Sequence, residues 1–226
     1  MGMYVEIKSC LDGAKEAEGI SVIIDVFRAS NTIIACMGQG VESIIPVGAL
    51  GEAYDLKEKN PHHLLLGERK GLPPEGFDYG NSPAISSKLN LKNKKVILTT
   101  SAGSQGIVHA KKADELLIGS FANAKAIVDY IKSKNPTKVS LIAMGFESGR
   151  KAEEDELCAQ YLKEQLLGIK SDFEKMKQEL LNCDGANRLR TLNQEDDLEF
   201  CLRLNIYDIV PKYDFKSHTL INQKRH

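Results

Sequence analysis

Residues 20–26 (ISVIIDV) form a near-continuous apolar run with one ionisable residue, Asp25, close to its carboxyl end. A short apolar run followed by polar residues suits a strand buried on both faces, as in parallel sheets. Residues 31–38 then read as a helix stopped by Gly38 and Gly40. The alternation repeats, with strands expected at 43–47, 63–67, 95–100, 115–119 and 138–144 and helices at 49–59, 105–112 and 123–134. Asn60-Pro61 ends the second helix, and a Gly- and Pro-rich loop covers 68–83. Such alternation predicts an α/β fold: a mostly parallel sheet covered by helices on both faces, with right-handed crossovers.

After Gly149 the period changes. Leu157, Tyr161, Leu162 and Leu166 recur at helical spacing, as do Phe173, Met176 and Leu180, and Leu198, Cys201 and Leu202 indicate one more helix before Val210-Pro211. The expectation is a helical C-terminal subregion packed on the core of a single domain over 1–226, with 216–226 as a solvated tail.

Composition narrows the class. Apolar residues are 42% and charged residues 27% of 226, ample for a core. Thirty Lys and Arg against thirty-one Asp and Glu leave a net charge of −1, which argues against a broad electrostatic grip on nucleic acid or anionic lipid. The apolar runs are too short to cross a bilayer, and the charged first ten residues do not form a signal peptide. Five scattered cysteines without a CxxC pair fit reduced thiols in a cytoplasm. Cys36 and Cys158 read as small core residues. A homodimer is the default expectation for an enzyme of this size.

Function is indicated by where polar residues end the strands. Asp25, Arg28, Ser30, Asn31 and Thr32 follow the first run. Glu68-Arg69 follow the third, Thr99-Thr100-Ser101 the fourth, and acidic Glu153, Glu154 and Asp155 come shortly after the sixth. In open parallel sheets ligands bind beyond the strands' carboxyl ends, so these segments are expected to converge. Arg28 and Arg69 suit a doubly charged oxyanion. The turn containing Thr99, Thr100, Ser101, Gly103 and Ser104 is expected to offer N–H donors to an anion or to cap the next helix. Asp25, Glu68, Asp78, Glu154 and Asp155 are hard oxygen ligands of the kind Mg²⁺ takes. Carboxylates, arginines and N–H donors together point to a phosphate ester and Mg²⁺. GxxxxGK[ST], GxGxxG after the first strand, a second aspartate in Asp25-Val26-Phe27, a GxSxG elbow and a C-x₅-R loop are all absent.

Four blocks, residues 22–32 (VIIDVFRASNT), 67–83 (GERKGLPPEGFDYGNSP), 96–103 (VILTTSAG) and 118–124 (IGSFANA), resemble the 2-phosphosulfolactate phosphatase family, as does the acidic segment 153–158 (EEDELC). The resemblance spans roughly 20–160. It implies a three-layer α/β/α Rossmann-like fold and Mg²⁺-dependent removal of phosphate from 2-phospho-3-sulfolactate, a coenzyme M biosynthesis step. It further implies a site lined by Asp25, Arg28, Glu68, Arg69, Asp78, Asn81, Ser82, Thr99, Thr100, Glu154 and Asp155. The chain departs from the family pattern at Ala102, where an asparagine is usual, at Lys70, where the block is usually GERGG, and over 146–151.

Rival readings stand beside this one. Asp78 and Asn81 also suit Asx-turn capping, and acids at 153–156 favour a helix N-terminus in any case. The substrate is a small anionic phosphate ester: phosphosulfolactate, or a related phospho-hydroxy acid. The change at Ala102 also fits a protein that binds a phosphorylated ligand without turnover. Attack on phosphorus is assigned either to a metal-activated water or to a carboxylate.

Overall fold

A computed structural model describes residues 2–223. In chain order the elements are β1 (Tyr4–Ser9), α1 (Cys10–Lys15), β2 (Gly19–Ile24), α2 (Ala29–Gly38), β3 (Ser43–Pro46), α3 (Leu50–Lys59), β4 (Leu64–Gly67), α4 (Pro83–Ser86), β5 (Lys95–Thr99) and α5 (Gly103–His109). There follow β6 (Ala113–Gly119), a 3₁₀ turn at Phe121–Asn123, α6 (Ala124–Lys134), β7 (Lys138–Ala143), α7 (Glu153–Leu167), α8 (Phe173–Leu180), α9 (Asp184–Thr191), α10 (Glu195–Cys201), β8 (Pro211–Asp214) and β9 (Thr219–Asn222).

The strands form one nine-stranded sheet in the order β1-β7-β2-β6-β8-β9-β3-β5-β4. The group β1-β7-β2-β6 is parallel throughout, as is β3-β5-β4. The hairpin β8–β9 joins them, antiparallel to β6 on one side and to β3 on the other. Three reversals in succession set the two parallel groups in opposite senses.

Alternation along the central strands builds the layers. Val22, Ile24, Leu117, Val139 and Leu141 pack toward Ile127 and Ile131 of α6 and Cys158 and Leu162 of α7. Ile23, Leu116, Ile118 and Ile142 face the other way, onto Ile33 and Cys36 of α2 and Ile107 of α5. Leu65 and Ile97 pack with Val47 and with Ala53 of α3. Each such fully buried aliphatic side chain contributes about 1.5–3 kcal/mol. Leu180, Leu189 and Leu198 of α8, α9 and α10 join the cluster beneath α6 and α7, so the expected helical subregion packs on the sheet.

Several features differ from the sequence expectation, among them α4, α9 and β8, which it did not contain. β1 and α1 precede the first expected strand. β1 occupies the sheet edge and buries only Val5, so no apolar run announces it. The expected solvated tail is a strand over Thr219–Asn222, anchored by fully buried Leu220; residues 224–226 of that tail lie outside the described residues. Finally, β6 begins at Ala113, because α5 ends early at His109.

Candidate active site

The segments that follow β2, β4, β5 and β7 line a single cavity of about 240 Å³, space for roughly eight waters at about 30 Å³ each. Asp25 and Arg28 come from the β2–α2 turn, Glu68 and Lys70 from the loop after β4, Ser101 from the β5–α5 turn, and Gly145, Phe146 and Glu147 from the loop after β7. Asn81, the first turn of α7 (Glu154, Asp155) and Arg188 of α9 complete the wall. Of the sequence-derived candidates, Asp25, Arg28, Glu68, Asn81, Ser101, Glu154 and Asp155 therefore meet here.

Asp25 sits one residue beyond β2 and is 6% exposed. Its Oδ1 accepts the Ala29 N–H at 3.1 Å, and the Gly103 N–H also donates to the carboxylate. A Cβ at Gly103 would lie 2.6 Å from the Ala29 Cβ and 2.9 Å from Asp25 Oδ2, so only glycine lets the β5–α5 turn approach this closely. Burial raises the Asp25 carboxyl from its ordinary 3.8 to about 6; the negative charges of Glu68 and Glu154 add to the rise and the two N–H donors oppose it.

The other acids brace the wall. Glu68 accepts the Ser101 N–H on Oε1 (2.6 Å) and the Gly71 N–H on Oε2 (2.9 Å), tying the loop after β4 to the β5–α5 turn. Asp155 accepts the Val26 N–H (2.7 Å) and the Gly145 N–H (2.8 Å), fastening the ends of β2 and β7 together. Burial raises its carboxyl well above the usual range, with the charges of Asp25 and Glu154 acting in the same sense. Glu154 is 3% exposed, accepts the Cys183 thiol at 3.7 Å and pairs with Arg188 Nη2 at 3.7 Å. Burial raises its carboxyl too, against the attraction of Arg188.

The arginine expectations change. Arg28 reaches the cavity, but its Nη1 donates to Asp197 Oδ2 at 2.7 Å and its Nη2 to the Gly71 carbonyl at 3.0 Å. Both members of that ion pair are buried, so the charge is compensated within the wall. Arg69 turns away from the cavity. It donates to the carbonyls of Glu68 and Gly48 and to Thr99 Oγ1, holding β4, β5 and the end of β3 in place.

Several predicted polar residues do not line the cavity, because their polar atoms are engaged elsewhere. Asp78 accepts the Leu65 N–H at 2.7 Å and Lys57 Nζ at 3.2 Å, bracing β4 away from the cavity. Thr99 Oγ1 holds Arg69. Thr100 and Ser104 bond to one another in a mutual cap at the start of α5, the helix-capping reading of this turn. Ser82 Oγ donates to Asp197 Oδ1 at 2.6 Å and caps Ile85. Gly103 acts through its backbone N–H on Asp25. Asn81 is 4% exposed and borders the cavity, and its buried Oδ1 has no hydrogen-bond partner among the described residues.

Two residues escaped the sequence reading. Asp197 gathers Arg28, Ser82 and the Ala84 N–H onto one carboxylate, fixing the Arg28 side and the approach to α4. Arg188 lies over the Phe146 ring, 4.5 Å from its centroid.

The lining carries five acids (Asp25, Glu68, Glu147, Glu154, Asp155) against three bases (Arg28, Lys70, Arg188). A phosphate dianion entering such a wall needs a cation or protons to offset the charge. Among the described residues no three acidic, histidine or cysteine side chains converge into a complete metal shell. The donor set nonetheless fits Mg²⁺, which keeps several waters and takes one or two carboxylates together with phosphate oxygens.

The pattern of the 2-phosphosulpholactate phosphatase family matches residues 7–216, nearly the whole chain. This chain belongs to that family. It is 34% identical over 207 residues to a protein of Thermotoga petrophila, covering 84% of this chain and 87% of the relative. It is 33% identical over 235 residues to a protein of Carboxydothermus hydrogenoformans, covering 97% of each. A Caldicellulosiruptor saccharolyticus protein is 34% identical over 217 residues, covering 87% of this chain and 89% of the relative. All three relatives are described as probable 2-phosphosulfolactate phosphatases. Family membership makes the chain a phosphoric monoester hydrolase, on the mostly parallel α/β sheet that its strand–helix alternation predicts. Among the described residues no helix is long and apolar enough to cross a membrane.

Proposed function

We propose that this protein hydrolyses the phosphate ester of 2-phospho-3-sulfolactate, releasing sulfolactate and inorganic phosphate, with Mg²⁺ as its cofactor. The observation carrying the reading is the buried carboxyl of Asp25, raised to about 6 at the cavity wall, on a chain whose relatives bear that activity in their names. A base with a pKa near the working pH is the effective one for proton transfer.

Asp25 takes a proton from the water that attacks phosphorus. As the new P–O bond forms the P–O bond to the ester oxygen breaks, that oxygen takes a proton from solvent to become the sulfolactate hydroxyl, and Asp25 returns its proton to solvent. The Ala29 and Gly103 N–H groups hold the carboxylate in one orientation. Glu68 and Asp155 keep the β5–α5 turn and the ends of β2 and β7 in place around it. Glu68 and Glu154 would hold Mg²⁺, which would offset phosphoryl charge, leaving Asp25 free to act as the base. The five unpaired cysteines favour a reducing, cytoplasmic setting.

The test is phosphate release from 2-phosphosulfolactate and a panel of phosphate monoesters, with Mg²⁺ and with chelator. Metal-dependent release favouring phosphosulfolactate is expected. Release from other esters alone removes the substrate assignment, and no release from folded protein with Mg²⁺ leaves only ligand binding.

A further inference from the structure

Of the two arginines that the sequence offered as anion receptors, Arg28 is paired within the wall and Arg69 is engaged away from the cavity, which leaves the question of what recognises the rest of the substrate. Arg188 answers it. It lies in the second turn of α9, its side chain 30% exposed, bordering both the cavity and the adjoining cleft formed with Arg150, Lys151 and Asp184. Its guanidinium carbon lies over the Phe146 ring, 4.5 Å from the centroid, and that of Arg150 lies 5.2 Å from the same centroid. A cation over an aromatic face is attracted by the ring while its N–H groups remain able to donate. Its nearest carboxylate, Glu154 Oε1, is 3.7 Å away, beyond hydrogen-bond reach, and no hydrogen bond from its side chain forms within the described residues. Arg188 is therefore a guanidinium at the cavity wall, ion-paired with Glu154 at 3.7 Å and set over the Phe146 ring, whose N–H groups form no hydrogen bond among the described residues. The other cations of the wall are Arg28, paired with Asp197, and exposed Lys70, a less directional charge.

We infer that Arg188 is a specificity residue that receives a second oxyanion on the phosphate ester, a sulfonate or a carboxylate, on the α7–α9 side of the cavity. The inference rests on the phosphatase reading above. A planar fork of donors suits both groups. An ester of a neutral alcohol has nothing to place there. Selection for acidic substituents thus comes from α9, a helix outside the strand-end loops that hold the reacting phosphate.

The experiment measures kcat/KM for 2-phosphosulfolactate, phospholactate and phenyl phosphate with wild type, Arg188→Gln and Arg188→Lys. Loss of a charge-assisted contact predicts that the ratio of phosphosulfolactate to phenyl phosphate falls roughly 10- to 100-fold in Arg188→Gln, carried by KM. Arg188→Lys retains the charge without the fork and should recover part of the ratio. Because α9 packs through Leu189, folding of both variants is checked by thermal unfolding, and Arg188→Lys decides if the glutamine variant does not fold. A ratio held within two-fold, or an equal loss on all three esters, overturns the assignment. A wild type that cleaves phenyl phosphate but neither acidic ester also overturns it while sparing the phosphatase reading. A wild type that cleaves none removes that reading and this one together.

Discussion

Replacing Asp25 by asparagine should abolish turnover and, at neutral pH without metal, make the protein more stable. The Asp25 carboxyl titrates at about 6 in the folded chain and at 3.8 ordinarily, so the native state holds its proton more tightly than the unfolded state does. Its stabilising contribution is therefore fully present below about pH 3.8 and is lost as pH rises through about 6. The interval is worth about 3 kcal/mol at 1.36 kcal/mol per pH unit. Asparagine carries no charge to bury, so it avoids that loss. Its Oδ1 still accepts the Ala29 N–H, but its amide cannot accept from Gly103, a cost of about 1 kcal/mol. The variant should thus be about 1 kcal/mol less stable than wild type near pH 4 and about 2 kcal/mol more stable at pH 8. For a chain of this length the latter is a rise of roughly 4–8 °C in Tm. Neutralising Asp25 also relieves Asp155, whose carboxyl it pushes up, which acts in the same direction.

The assay is denaturant unfolding of both proteins in chelator from pH 4 to 8, with phosphate release followed in parallel. Phosphate release should fall at least 100-fold, the usual contribution of a positioned base. A stability difference that stays flat with pH, or a variant less stable than wild type throughout, would refute the account of Asp25 as a carboxylate held against its desolvation.

Two further outcomes follow from the bracing network. Asp197→Ala leaves Arg28 buried without its partner and removes acceptors for Ser82 and the Ala84 N–H; unfolding experiments should show a loss of about 3–5 kcal/mol, with activity reduced as the cavity wall shifts. Asp78→Ala, which removes a half-exposed pair with Lys57 and one bond to the Leu65 N–H, should cost about 1–2 kcal/mol in thermal unfolding and hold phosphate release within two-fold of wild type. A ten-fold loss of release with stability intact would return Asp78 to the site.

The central strands were readable because burial on both faces leaves no polar position to interrupt them: β2, β5, β6 and β7 all carry runs of buried Ile, Leu and Val. Where a strand lies at an edge or in an antiparallel hairpin, that signal fades. β1 exposes Tyr4 and buries one residue fully. In β8, Pro211 and Tyr213 are buried while Lys212 and Asp214 are half-buried, an alternation of four residues too short to stand out beside a charged terminus. Lys212 is accommodated in the sheet because Glu115 and Tyr130, far away in sequence, receive it. No local pattern contains that information.

The same distinction runs through the site. Asp25, Glu68, Glu154 and Asp155 were legible because an acid placed directly at the end of an apolar strand, or in a helix's first turn beside one, is costly to bury without a purpose. What could not be read was which polar groups would satisfy one another. Arg28 and Arg69 look alike as sequence signals, yet one meets Asp197, 169 residues away, and the other meets Thr99, 30 residues away. Asp197 sits in the run Glu195-Asp196-Asp197, where acids at a helix start are unremarkable, and only the fold buries the third of them. Arg188 is concealed for the opposite reason. Its helix, DGANRLRT, is mostly polar, and the residue matters because the fold gives it an aromatic ring and no hydrogen-bonding partner. Residue type showed which groups can bind an oxyanion; the pairings made on folding leave Arg188 with an ion pair to Glu154 at 3.7 Å and no hydrogen bond among the described residues.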